Sequence, residues 1–242
     1  MKEKKHKLLI LLLLLNAFVW AQDMKQDFLN INKVYHKNTC VNMSMAYTLY
    51  ENHSSTTAVE KLEGMVKRMG ECMHYKLSHI EYLRNTKYNL MIDNQAKLMV
   101  LTEHNTKLFD WDEQAYFGNL DAYLKMCDKS TYSTQGAYAA YDLQIKSGKY
   151  SRVIISFDKK KYLIHKMVFY YREAIDISKD KSGKKSSPRL EIDFSGINTS
   201  VQYTENDFSE MNFLNKTEKN YTCKPAYKDF RLKVELFDKK TK

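Results

Sequence analysis

The sequence predicts an α+β protein: an antiparallel β-sheet of about ten strands, with helices packed on one face. Three observations carry that prediction. Short runs of apolar–polar alternation, separated by compact turn sequences, recur along most of the 242 residues. Helical spacing is confined to three places. A hydrophobic share of 43% with 13% aromatics supports a packed core, and 7 Gly with 2 Pro exclude collagen-like and low-complexity chains.

Met1 to Ala21 is set apart from the fold. Lys2, Lys4, Lys5 and Lys7 form a basic head, Leu8 to Leu15 is an unbroken apolar run, and Val19-Trp20-Ala21 offers a cleavage site. The run is too short to span a bilayer, which takes about 20 apolar residues. A cleaved signal peptide over residues 1–21 and one exported domain over 22–242 are therefore expected. Taking the four Lys and one Glu of the leader from 39 basic and 29 acidic residues leaves a charge of +7. The cluster Lys179, Lys181, Lys184 and Lys185 reads as a solvated loop, and no nucleic-acid motif accompanies it.

The first element is a helix over Asp27 to Lys37, with Phe28, Ile31, Val34 and Tyr35 on one stripe. Val41, Met43, Met45, Tyr47 and Leu49 then alternate with small polar residues as a half-buried strand. Leu62–Arg68 and Cys72–Leu77 flank a tight turn at Gly70, and Tyr88, Leu90 and Ile92 precede an Asp93–Ala96 turn and a returning strand to Leu101. Glu113 to Cys127 breaks the rhythm with a second helix. Strands resume at Ala137–Lys146, Val153–Phe157, Tyr162–Tyr171 and Leu190–Phe194. Asn206–Leu214 makes a helical turn, and Phe230 to Leu236 makes the last strand.

No catalytic chemistry follows from this pattern. Gly-x-Ser-x-Gly, P-loop, GxGxxG and HExxH signatures are absent from the sequence. His74 and His79, with Glu81 nearby, have no metal-ligand spacing, and Asp110 and Asp112 read as a polar turn before the following helix, with Asp112 as its N-cap. Neither a cofactor nor a metal is expected. Cys40, Cys72, Cys127 and Cys223 allow three complete pairings in an oxidising compartment, or remain free.

The strand faces are the informative feature. Twelve Met, 18 Tyr and 11 Phe are many for this length, and Met is a side chain that adapts to shapeless apolar partners as well as a filler of cores. The stretches Gly64-Met65-Val66-Lys67-Arg68, Tyr88-Asn89-Leu90-Met91-Ile92-Asp93 and Lys97-Leu98-Met99-Val100 resemble the periplasmic lipoprotein-carrier superfamily of LolA and LolB, in the style of small exported Bacteroidetes proteins. Where that family has a tryptophan, this chain has Cys72-Met73-His74-Tyr75. The resemblance implies a strongly curved, unclosed antiparallel β-sheet (a half-barrel) with helices packed on its concave face, a periplasmic location, and a non-catalytic carrier of acyl chains or lipoprotein moieties. A structural component of an envelope assembly, meeting other proteins through the same fold, is the alternative.

Strand periodicity places Met43, Met45, Tyr47, Leu49, Leu90, Ile92, Val153, Ile155, Leu190, Ile192 and Phe194 in one ligand compartment. Phe28, Ile31 and Tyr35 are its expected lid. A monomer with lipid or protein partners, and with neither nucleic acid nor a transmembrane anchor, completes the expectation.

Overall fold

The computed structural model describes residues 23–35, 40–104, 120–177, 183, 185–218 and 220–236. The leader, His36, Asp110, Asp112, residues 113–119 of the expected Glu113–Cys127 helix, Lys179, Lys181 and Lys184 lie outside them. The chain opens with helix α1 (Met24–Val34), which Asp23 caps by accepting a hydrogen bond from the Gln26 amide at 3.0 Å. Six strands follow as a meander: β1 (Cys40–Tyr50), β2 (Ala58–Met69), β3 (Cys72–Leu77), β4 (Ile80–Arg84), β5 (Tyr88–Asp93) and β6 (Leu98–Glu103).

Helix α2 (Leu120–Met126) leads into a second meander of β7 (Cys127–Gln135), β8 (Tyr138–Ile145), β9 (Tyr150–Asp158) and β10 (Ile164–Tyr171). The strands β11 (Ile175–Asp176) and β12 (Lys185–Ser186) form a small ribbon before β13 (Arg189–Asn198). Three 3-10 turns, the ribbon β14 (Leu214–Lys216) with β15 (Tyr221–Cys223), and β16 (Arg231–Glu235) complete the chain.

Twelve of these strands make one unclosed sheet in the order β16-β6-β5-β4-β3-β2-β1-β13-β10-β9-β8-β7. The two meanders join where β13 pairs antiparallel with β1, setting Met45 opposite Phe194 and Tyr47 opposite Ile192. Every pairing in the sheet is antiparallel except the last, where β16 runs parallel to β6. A parallel neighbour needs a crossover, and residues 204–230 supply it by passing over the sheet.

The sequence reading did not separate β4 or β7. Strand β7, Cys-Asp-Lys-Ser-Thr-Tyr-Ser-Thr-Gln, is an edge strand exposed along nearly all its length, so it has no apolar alternation to read. Strand β10 runs in the interior of the sheet, and its buried run Met167-Val168-Phe169 faces both ways.

Because residues opposite one another in a ladder share a face, the register divides the sheet into two faces. The inner face carries Val41, Met43, Met45 and Tyr47 of β1, and all four are buried. The outer face carries Asn42, Ser44 and Thr48 of the same strand. Over β13, β10, β9 and β8 the outer face is a lattice of paired charge. Lys166 lies 3.3 Å from Asp193 and also pairs with Glu191 at 2.5 Å, Arg189 meets Glu191 at 2.9 Å, and Arg152 grips Asp142 with two nitrogens at 2.8 and 2.6 Å.

Over β4, β5 and β6 the outer face is apolar instead. There Leu83, Leu90, Ile92, Met99 and Leu101 are covered by Phe213 and Leu214 from the crossover, forming a second core. Asn85 fixes that cover, donating to Glu210 Oε2 at 2.7 Å and to the Phe208 carbonyl at 3.2 Å.

Gly64 sits on the inner face between Met45 and Leu77. A Cβ there would stand 2.5 Å from the Lys76 carbonyl oxygen, a backbone atom that cannot turn aside. Gly64→Ala is expected to lower stability by about 1–3 kcal/mol, the cost of overpacking. Urea denaturation should show the lower midpoint with an unchanged slope.

Candidate functional site

The inner face is the candidate site, and its side chains come from five neighbouring strands. Met43, Met45 and Tyr47 stand beside Ile192 and Phe194, and the ladder continues through Met167 and Phe169 to Ile155 and Val153, then to Tyr141 and Leu143. Leu49 and Leu190, opposite each other at one margin, are half-buried.

Helix α1 covers this face with the stripe Phe28, Ile31 and Tyr35, none more than 4% exposed. Burying each contributes about 2 kcal/mol. Tyr123 of α2 is buried in the same cluster.

Polar anchors hold α1 at both ends. The Tyr141 hydroxyl donates to Asp27 Oδ2 at 2.7 Å, and the Phe28 ring meets the Tyr141 ring edge-on at 5.5 Å. At the other end the Tyr35 hydroxyl accepts from the Ile164 amide at 3.0 Å, and the Arg68 guanidinium donates to the Tyr35 carbonyl. Burial pushes the Tyr35 phenol up to about 12, against the opposing pull of the Ile164 amide and Arg68. Burial likewise takes Tyr47 up to about 12, with a hydrogen bond to Tyr75 acting the other way. Both phenols are therefore neutral hydrogen-bonding groups near pH 7.

Nine of the eleven sequence-predicted ligand residues and all three lid residues share this face. Leu90 and Ile92 do not. The ladders pair Tyr75 with Tyr82, Tyr82 with Met91 and Met91 with Val100, so Met91 carries the inner face across β5. Leu90 and Ile92, its neighbours in sequence, point outward into the second core. Period-two spacing in β5 could not reveal this, because both faces of the strand carry apolar residues.

The inner face also contains Val66, Tyr75, Tyr141, Phe157, Met167 and Phe169, which the prediction left out. The alternation of Ala139, Tyr141, Leu143 and Ile145 in β8 was a signal for part of this set. Beyond the α1 stripe the same face continues as half-buried Ile80, Tyr82, Met91 and Leu98.

The histidine and cysteine candidates have other surroundings. His74 lies on the outer face of β3, 3.3 Å from Glu81 across the β3–β4 hairpin, with the Phe213 ring edge-on at 6.0 Å. The odd offset between His74 and His79 loses its meaning here, since His79 lies in the turn between those strands. The hydrogen bond from His74 holds the Glu81 carboxyl down to about 2, burial opposes it, and Lys76 at 3.1 Å adds to the lowering.

The four cysteines are free thiols, and burial pushes those of Cys72, Cys127 and Cys223 up. A cleft of about 310 Å³ beside Cys72, lined by Asn85, Lys87, Glu205, Asn206 and Glu210, is polar and lies away from the apolar face.

An unclosed sheet with one apolar face under an amphipathic helix defines the architecture. Comparison with solved structures finds distant similarities. The chain is similar to a LolA superfamily protein from Nitrosomonas europaea at 8% identity and a TM-score of 0.37, over 79% of this chain and 100% of that one. It is similar to an uncharacterised conserved protein from Thermus thermophilus at 12% identity and a TM-score of 0.45, over 88% of this chain and 100% of that one. A putative outer membrane lipoprotein-sorting protein domain from Vibrio parahaemolyticus is similar over 78% of this chain and 98% of its own, at 11% identity and a TM-score of 0.34. No protein-family model and no curated protein matches the chain. No helix among the described residues is long and apolar enough to cross a membrane.

Two outcomes follow from these contacts. Tyr141→Phe takes a donor from a buried carboxylate and should cost about 1–3 kcal/mol, read as a lower urea midpoint. Glu81 has a folded-state pKa below its unfolded value, so its stabilisation is complete above about pH 4.5 and is lost as pH falls toward 2. Glu81→Gln should remove about 2 kcal/mol at pH 7 and almost nothing near pH 2, flattening that part of the stability–pH curve.

Proposed function

We propose that the chain is an exported, non-catalytic carrier that holds the acyl chain of a lipid or lipoprotein on its inner sheet face, in the periplasm. The observation that supports this reading is the contiguity of the apolar face. It runs across β1, β13, β10 and β9 under one short helix, and continues past that helix over Tyr82 and Met91.

A tail enters by exchanging with the α1 stripe. Three buried side chains at about 2 kcal/mol each are balanced by roughly eight methylenes at about 0.8 kcal/mol each, so the exchange is close to thermoneutral in free energy. Neither partner then locks the site, which suits loading and release. In this reading Met43, Met45, Tyr47, Leu49, Val153, Ile155, Leu190, Ile192 and Phe194 contact the tail, and Phe28, Ile31 and Tyr35 are displaced.

One observation favours a second reading, an envelope platform that meets other proteins. The face is packed in this structure by Phe28, Tyr35, Tyr123, Tyr141 and Phe157, as a permanent core would be.

Organic extraction of the purified chain, followed by mass spectrometry, should release a fatty-acyl species if the carrier reading holds. A fluorescent fatty acid then separates the two readings. Ile31→Ala weakens the docking of α1 by about 2 kcal/mol and should tighten fatty-acid binding by at least about tenfold. Met45→Asp and Ile155→Asp should abolish binding, with thermal melts establishing that each variant is folded. An extract without lipid, together with a folded Ile31→Ala chain that binds no fatty acid, replaces the carrier with the platform.

A further inference from the structure

We propose that the end of the sheet formed by the β7–β8 and β9–β10 turns is a docking surface for an anionic lipid bilayer. The two turns are one structural unit, because the Lys159 amide donates to the Ala137 carbonyl at 3.0 Å. Lys159, Lys160 and Lys161 stand in a row on the β9–β10 turn, all exposed, and none of them closes an ion pair among the described residues.

The carboxylate of the turn, Asp158, stays ionised: the Lys161 and Lys160 amides hold it below its ordinary value, and the ammonium charges of the same two lysines add to that. Asp158 Oδ1 accepts from the Lys160 and Lys161 amides at 2.8 Å each, and the Asp158 carbonyl accepts from the Tyr162 amide at 2.8 Å. That closure places Tyr162 at φ 54, a left-handed conformation a bulky residue adopts only when its surroundings impose it. The turn thus presents three ammonium groups outward from a rigid frame. On the adjacent outer face Arg152, Lys166 and Arg189 are each paired with carboxylates, whereas in this turn three lysines stand against the one aspartate, Asp158, and leave a local excess of positive charge.

Aromatic rings flank the lysines on both sides of the sheet. Tyr132 and Tyr138 are exposed at 38% and 40%. Tyr138 stacks on exposed His165 with ring centroids 4.3 Å apart. On the inner side Tyr132, Tyr141, Phe157 and Tyr162 follow one another at 5.1 to 6.0 Å, a line of rings that passes through the core and ends at half-buried Tyr162 beside the lysines. Lysines reaching headgroup phosphates and tyrosines resting at the boundary between headgroups and tails are the chemistry of a bilayer surface. The docking stands whether or not the inner face takes a tail.

The chain without its first 21 residues contains every described element. It is sedimented with vesicles of phosphatidylcholine alone and of phosphatidylcholine with phosphatidylglycerol. Binding is expected only to the anionic vesicles, and added salt should release it. Each lysine near an anionic surface is worth about fivefold in partitioning, so Lys159→Ser/Lys160→Ser/Lys161→Ser should lose about a hundredfold. Its melting temperature should hold, because the turn uses only the backbone amides of these residues. The corresponding triple arginine variant should bind as the parent does. If the serine variant fails to fold, Lys160→Ser and Lys161→Ser singly should each lose about fivefold. Equal binding to neutral vesicles, no binding to either kind, or a folded serine variant that partitions like the parent overturns the proposal. The last two results would assign the lysines to solvent or to an acidic protein.

Discussion

The pairing of β1 with β13 is the constraint on which the rest of the structure depends. Residues about 150 positions apart in the chain are brought into register there, and two independent meanders become one sheet. With Met45 opposite Phe194, every side chain of the second meander is assigned a face relative to the first. A slip of one residue would turn Ile192 and Phe194 outward and bring Glu191 and Asp193 under α1. The charged lattice of the outer face and the apolar floor of the inner face are two consequences of one register.

That floor determines what α1 does. A helix with one apolar stripe and a buried Asp27 has few places to dock, and the inner face supplies both an apolar surface and the Tyr141 hydroxyl. The anchors at its ends involve β8, β10 and β2, so the helix staples both meanders beneath it. Its apolar contribution is of the same order as that of a short hydrocarbon tail, the physical basis for reading the face as a site. The second core follows a different logic. The crossover that delivers β16 parallel to β6 buries the outer face of β4 to β6, so those strands carry apolar residues on both sides.

The molecule therefore has two ends of different character. At the β16 edge the C-terminal crossover supplies an apolar cover over the outer face. At the β7 edge the sheet stops in a polar, exposed strand, and the neighbouring β9–β10 turn holds three exposed lysines near tyrosines. A carrier needs a place for cargo and a means of reaching the membrane that gives or takes it. The inner face and the lysine-bearing turns are distinct structures that would serve those needs.

The sequence by itself determined the kind of sheet, the stripe of α1 and most of the strands, because alternation and helical spacing are local properties written in neighbouring residues. It marked Met43, Met45, Tyr47, Val153, Ile155, Ile192 and Phe194 as partners on one face, which the ladders bring together. It could not place Leu90 and Ile92, since alternation shows that a strand has two faces without saying which of them aligns with its neighbour's. Nor did it reveal β7, whose exposed residues owe nothing to burial, or the parallel docking of β16, which depends on the path of the crossover. Those features are decided by register and long-range packing, relations between distant residues that no local pattern records.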